Sequence, residues 1–112
     1  MPNRVGPFEP NDTLWIEARY VGNEATIVVE GEFDTTGTEQ FWGHVSEAIK
    51  SRSEAVIVDG RGLAFIDSSG LMAFVRACEA AVDAGMTFQV RPSPALRRIV
   101  ELTGLEHLLS HG

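Results

Sequence analysis

The sequence predicts an α/β domain, a mixed sheet of about four to five strands with three to four helices packed mainly on one face. Three observations carry that prediction. The chain begins with period-2 alternation closed by a Gly-Asn turn, goes on to alternate short β-branched runs with amphipathic segments, and has one run that is apolar without interruption.

Leu14, Ile16, Ala18 and Tyr20 alternate with Trp15, Glu17 and Arg19, the pattern of a half-buried strand, and Gly22-Asn23 reads as a hairpin turn. Ala25 to Gly31 is a second strand that pairs antiparallel with the first, and a break over Gly31 to Asp34 follows. Thr36 with Glu39 three residues later has the spacing of a capping box, in which hydroxyl and carboxylate satisfy each other's backbone donors. Phe41, Trp42, Val45, Ala48 and Ile49 then share one helical face, and this helix ends near Ser51.

Ala55 to Asp59 is the continuous apolar run, which fits a strand covered on both faces and paired in parallel. It leads through Gly60 and Gly62 into Phe65-Ile66-Asp67-Ser68-Ser69-Gly70. From Ser69 the period is helical again, with Leu71, Val75, Cys78 and Val82 on one side and Arg76, Glu79 and Asp83 on the other, up to Gly85. Thr87 to Val90 is the last strand. Ser93-Pro94 is a cap followed by proline at the first helical position, where its missing N–H costs nothing. The third helix turns Leu96, Ile99 and Val100 inward and closes at Gly104, after which Leu105, Leu108 and Leu109 form a final apolar turn docked on the core. Right-handed crossovers put the helices after the second and third strands on the same side of the sheet. Contacts with a ligand or partner are then expected at the carboxyl ends of those strands, Gly31 to Thr35 and Phe65 to Gly70.

A chain of 112 residues holds one core, and at this size burial stabilises the fold without disulfides or metal. The expected division is a mobile tail over 1–12, with Pro2, Gly6, Pro7 and Pro10, and a domain over 13–112. One cysteine, no secretory signal and no apolar stretch of membrane-spanning length point to a soluble, cytoplasmic protein. The net charge of -7 arises before residue 48, where nine carboxylates face only Arg4 and Arg19. Phosphate-neutralising surfaces need clustered Lys and Arg, so direct nucleic-acid binding is not expected. The acidic half serves either as a solvated surface or as a patch that steers a basic protein partner.

Asp67-Ser68-Ser69-Gly70 sets an acid and two hydroxyls at a helix N-terminus, where unpaired N–H groups and the helix dipole favour negative charge. On its own the segment reads first as an ordinary N-cap, which Asp and Ser commonly supply. Catalysis is not expected: Ile66 stands where the first glycine of a G-x-S-x-G elbow would be if Ser68 were the nucleophile. His44 is mid-helix and His107 and His111 are at the C-terminal end, so there is neither a catalytic nor a metal-binding pattern, and no cofactor is implied. Trp15, Phe41, Trp42, Phe65 and Phe74 fall on strand and helix periods and read as core. Cys78 reads as a small buried hydrophobe.

Gly31-Glu32-Phe33-Asp34 after one strand, Ile66-Asp67-Ser68-Ser69-Gly70-Leu71 after the next, and the run from Ser93 to Leu109 together resemble the STAS family of anti-sigma factor antagonists. The resemblance covers about residues 14–109 and rests on these motifs occurring in order. It implies a STAS fold and a bacterial regulator of transcription, of the kind used in stress responses. The unphosphorylated form of such a regulator binds an anti-sigma factor that is itself a GHKL-type serine kinase and so releases a sigma factor. Phosphorylation at the serine matching Ser68 breaks that complex, and a PP2C-type phosphatase restores it. Asp34 matches the family's acid after the second strand, and Asp67, Ser69 and Gly70 match the rest of the phosphorylation loop. Two positions depart from the pattern: Gly60, where many relatives have an apolar residue, and Met72, where a second glycine is frequent. The same fold also serves as an accessory subunit of lipid-transport complexes and as a small-ligand or nucleotide sensor, which is the alternative assignment.

Overall fold

The computed structural model describes residues 13–110; the expected tail over 1–12 and His111 lie outside the described residues. Four strands form one sheet in the order β1 (Leu14–Val21), β2 (Glu24–Phe33), β3 (Ala55–Ile66) and β4 (Thr87–Pro92). β1 and β2 are an antiparallel hairpin joined by Gly22 and Asn23, with Val21 opposite Glu24. The β2–β3 and β3–β4 pairs are parallel, and their crossovers are the helices α1 (Thr38–Lys50) and α2 (Ser68–Asp83). A third helix, α3 (Pro94–Thr103), and a short 3-10 turn over Glu106–Leu109 complete the order. Mixed sheet and one-sided helices agree with the sequence expectation.

Alternation along the strands sends Ala25, Ile27, Val29, Val56, Val58, Phe88 and Val90 into a core that also takes in Phe41, Val45, Phe74, Leu96, Val100 and Leu108. Each buried aromatic or large aliphatic side chain contributes about 1.5–3 kcal/mol relative to exposure. At the centre Phe33, Phe41 and Phe74 meet as a ring triad, with centroids 5.3, 5.4 and 5.2 Å apart for the pairs 33–41, 33–74 and 41–74. β2, α1 and α2 are thus joined by aromatic edges as well as by buried area. Val28 and Ile57 point to the opposite face and are still buried, as the continuous apolar run of β3 requires.

Both central strands run further than expected, and the reason is visible in their glycines. β2 passes through Gly31 to Phe33. Gly31 adopts φ 103°, a conformation L side chains rarely adopt, and a Cβ there would overlap the carbonyl of Thr13. β3 passes Gly60 and Gly62 to Ile66, gaining one residue on β2 at each of two bulges, between Val28 and Glu30 and between Gly31 and Glu32. The bulges turn Leu63 and Ile66 into the core and leave Phe65 opposite Glu32 and 50% exposed, so Phe65 is not the core residue its period suggested. Phe41 and Phe74 are fully buried, and Trp15 and Trp42 are half-buried.

The capping box of Thr36 and Glu39 does not form. Because β2 extends to Phe33, the first turn starts earlier, as a 3-10 turn over Thr35–Gly37 capped by Asp34, and α1 follows from Gly37 without a side-chain cap. In α2 the buried side is Leu71, Ala73, Phe74, Ala77, Cys78 and Ala81, while Val82 is exposed. Val75 is half-buried and packs against the edge of the core. The Ser93 cap forms as expected, with its hydroxyl accepting from the N–H of Leu96 at 3.1 Å, and Gly104 closes α3 in a left-handed cap.

Candidate functional site

The carboxyl ends of β2 and β3 lie side by side, with Phe33 in register with Ile66. One residue beyond, the N–H of Asp67 donates to the carbonyl oxygen of Phe33 at 3.1 Å. Asp67 is extended and caps α2, its Oδ1 accepting from the N–H of Gly70 at 2.9 Å. Gly70 is buried against the end of β2: a Cβ there would stand 2.9 Å from the Phe33 carbonyl oxygen and 2.9 Å from Ile66 Cγ1. The loop therefore holds the first turn of α2 hard against β2, and the four residues Asp67 to Gly70 act as one rigid corner.

Within that corner the two serines differ. Ser68, the first residue of α2, is exposed, whereas Ser69 is half-buried. The Ser69 hydroxyl is 2.8 Å from the hydroxyl of Thr35, a bond across 34 residues of sequence. None of the hydrogen bonds among the described residues engages the Ser68 hydroxyl. Ser68 is thus the hydroxyl presented to solvent, at a helix N-terminus that favours an anion.

Asp34, beside Thr35, is turned onto its own loop. Its Oδ1 accepts from the hydroxyl of Thr36 at 2.6 Å and from the N–H of Thr36 at 3.0 Å, and these two bonds hold its carboxyl below the usual carboxylate range. The carbonyl of Thr35 in turn accepts from the hydroxyl of Thr38 at 3.0 Å. Asp34 and Ser69 are brought together only through this loop, with Thr35 making the direct contact. Thr35 falls in the strand end expected to make contacts, but its pairing with Ser69 has no signal in the sequence, since a hydroxyl pair so far apart has no spacing pattern.

Phe65 and Met72, both about half exposed, flank Ser68 along the chain, Met72 one helical turn beyond it. On the neighbouring part of α2 the guanidinium of Arg76 lies 4.6 Å over the ring of Trp42 on α1. Gly60 is buried at the third strand, where a Cβ would stand 3.0 Å from Leu96 Cδ2, so Leu96 of α3 lies close to the space a side chain there would take.

A separate cavity of about 350 Å³ lies at the far end of α2, lined by Cys78, Glu79, Val82, Asp83 and His107. Burial, with a smaller contribution from Glu79, pushes the Cys78 thiol up. Burial also lowers His44 on α1. Among the described residues no cluster of His, Cys, Asp and Glu is arranged to hold a metal ion, and no helix is long and apolar enough to cross a membrane.

Comparison with known proteins places the domain in a family. The family model described as "Mlab, STAS domain" matches residues 16–110. The anti-sigma F factor antagonist of Lysinibacillus sphaericus is 34% identical over 84 residues, spanning 71% of this chain and 72% of that protein. Among solved structures, an anti-sigma factor antagonist from Mycobacterium paratuberculosis superposes with a TM-score of 0.77 at 21% identity, covering 91% of this chain and 87% of its own. The Bacillus antagonist SpoIIAA is 29% identical in both of its forms. Its unphosphorylated structure has a TM-score of 0.67 with 85% of each chain covered, and its phosphorylated structure 0.62 with 85% and 88% covered. The chain belongs to the STAS domain family, of the anti-sigma factor antagonist type.

Proposed function

We propose that this chain is a partner switch set by phosphorylation of Ser68. Unphosphorylated, it binds an anti-sigma factor of GHKL-type serine kinase fold in the cytoplasm and frees a sigma factor; phosphorylated, it lets the kinase go; a PP2C-type phosphatase resets it. The chain itself carries out no catalysis in this cycle. The observation that carries the reading is the setting of Ser68, an exposed hydroxyl between exposed Phe65 and Met72 at the start of α2. A partner seated on that apolar pair desolvates the hydroxyl between them.

A phosphoryl group brings about -1.5 to -2 charges at neutral pH and has to be stripped of water in the same place. The free domain tolerates that charge, because the helix N-terminus favours an anion. The complex does not, since Asp67 and any acidic partner group add like charge in a desolvated interface. The switch therefore acts on binding and leaves the fold intact. That SpoIIAA exists as a folded protein in both phosphorylation states supports the same division. Asp34, Asp67, Ser69 and Gly70 complete the partner surface in this reading.

Calorimetric titration of wild type, phosphorylated protein and Ser68→Ala against the kinase tests it. Ser68→Ala should bind like the wild type and accept little phosphate. The phosphorylated form should bind at least a hundredfold more weakly, about 2.7 kcal/mol. Equal affinity for the two forms, both folded, would overturn it.

A further inference from the structure

The bond between Thr35 and Ser69 has no part in the switch as described, and it bears on a choice the kinase must make. Asp67-Ser68-Ser69 offers two adjacent hydroxyls at one helix N-terminus. They differ in exposure, and Ser69 is bonded to Thr35. The Thr35 backbone is fixed by the loop: Asp34 clamps Thr36, and the Thr35 carbonyl is held by Thr38. Its hydroxyl is thereby presented to Ser69 at 2.8 Å, and Gly70, the next residue, is packed against the end of β2.

We propose that Thr35 is the residue that favours Ser68 over Ser69 as the phosphoryl acceptor, by engaging the hydroxyl of Ser69. This rests on the reading of Ser68 as the phosphorylated residue and adds the basis of its selectivity. For Ser69 to attack a γ-phosphorus, its oxygen has to leave Thr35 and its O–H proton has to pass to a base of the kinase while the P–O bond to ADP breaks. Giving up the hydroxyl bond, and turning a half-buried side chain outward, sets Ser69 back by roughly five- to tenfold relative to a released serine. Thr35 is a positioning residue in this scheme and touches neither ATP nor the transferred group.

Phosphate incorporation and site mapping by mass spectrometry, with ATP and the anti-sigma factor kinase of the host cell, should be compared for wild type, Ser68→Ala, Thr35→Val and the Ser68→Ala/Thr35→Val pair. Valine keeps the shape of threonine and removes the hydroxyl. Wild type should carry phosphate predominantly on Ser68 and Ser68→Ala should be labelled only slowly on Ser69, while the double variant should be labelled on Ser69 at least fivefold faster than Ser68→Ala. A double variant no better than Ser68→Ala overturns the proposal, as does Ser68→Ala labelled on Ser69 as fast as the double variant. The latch has a second readout that needs no kinase: the Gly70 amide, held by Asp67, should exchange at least threefold faster in Thr35→Val than in wild type. Unchanged exchange also overturns the proposal. Absence of phosphate on wild-type protein, with the exchange difference present, would instead remove the reading of Ser68 and leave the latch standing.

Discussion

The carbonyl oxygen of Phe33 accepts the N–H of Asp67 at 3.1 Å, and the same oxygen lies 2.9 Å from where a Cβ on Gly70 would stand. The end of β2 thus touches both the cap of α2 and the third residue of that helix. Position of the Ser68 hydroxyl follows from this double contact, since Ser68 and Ser69 are the only residues between the two points. The ring of Phe33 continues the same line inward, edge-on to Phe41 and Phe74.

Gly70→Ala should therefore damage fold and switch together. The added methyl meets backbone oxygen and two side-chain carbons, at 2.9, 2.9 and 3.0 Å, and the backbone oxygen has little freedom to retreat. Overpacking of this kind costs about 1–3 kcal/mol, which urea denaturation will register as a lower midpoint with an unchanged slope. Partner affinity should fall as well, because relief of the clash means lifting the first turn of α2 and Ser68 with it. Full stability in the alanine variant would mean that the corner is looser than its contacts imply.

Much of this arrangement was legible from sequence, and the exceptions share a cause. Ser93-Pro94, Gly104 and the amphipathic face of α1 are local signals, and each forms where its residues lie. The ends of β2 and β3 are set by pairing with one another, and glycines at 31, 60 and 62 conceal that pairing because they interrupt the apolar pattern while fitting against Thr13, Leu96 and Glu30. Once β2 reaches Phe33, Asp34 becomes the cap and Thr36 its donor, so the spacing of Thr36 and Glu39 has nothing left to cap. At the site, Asp67, Ser68, Ser69 and Gly70 form one contiguous motif and could be named as a unit. Thr35 is joined to them only through space, and Phe65 is turned outward by a bulge that no periodicity encodes.

Asp34 gives a pH-dependent test of its place as a cap. Thr36 stabilises the ionised carboxyl in the folded state and lowers its pKa below the unfolded value of about 3.9. A depressed carboxylate contributes stability that is present above the unfolded pKa and is lost as pH falls through the folded one. Asp34→Asn keeps an acceptor oxygen for Thr36 and removes the charge. Wild type should melt above Asp34→Asn at neutral pH, and the gap should close as pH drops below about 4. A gap unchanged down to about pH 2 would show that the charge on Asp34 does not strengthen these bonds.

Phe65 and Met72 provide the test that separates binding from folding. Their relative exposures are 50% and 52%, so truncation opens little or no cavity and should leave stability within about 0.5 kcal/mol of wild type. An apolar side chain of that size held in water by a bulge, next to the residue proposed to receive phosphate, gains most by being covered in a complex. Phe65 has the larger surface and the stiffer side chain, and aromatic residues dominate the few positions that carry binding energy. Phe65→Ala should therefore weaken kinase binding by about 2 kcal/mol or more, roughly thirtyfold. Met72→Ala should cost less, since a flexible side chain gives up more entropy on being fixed. The two losses should be sub-additive when the residues contact one element of the partner. Calorimetric titration of both single variants and the double variant, beside urea midpoints for each, resolves the two effects. Wild-type affinity in Phe65→Ala would move the interface off the Ser68 corner, and phosphorylation would then have to act on binding from a distance.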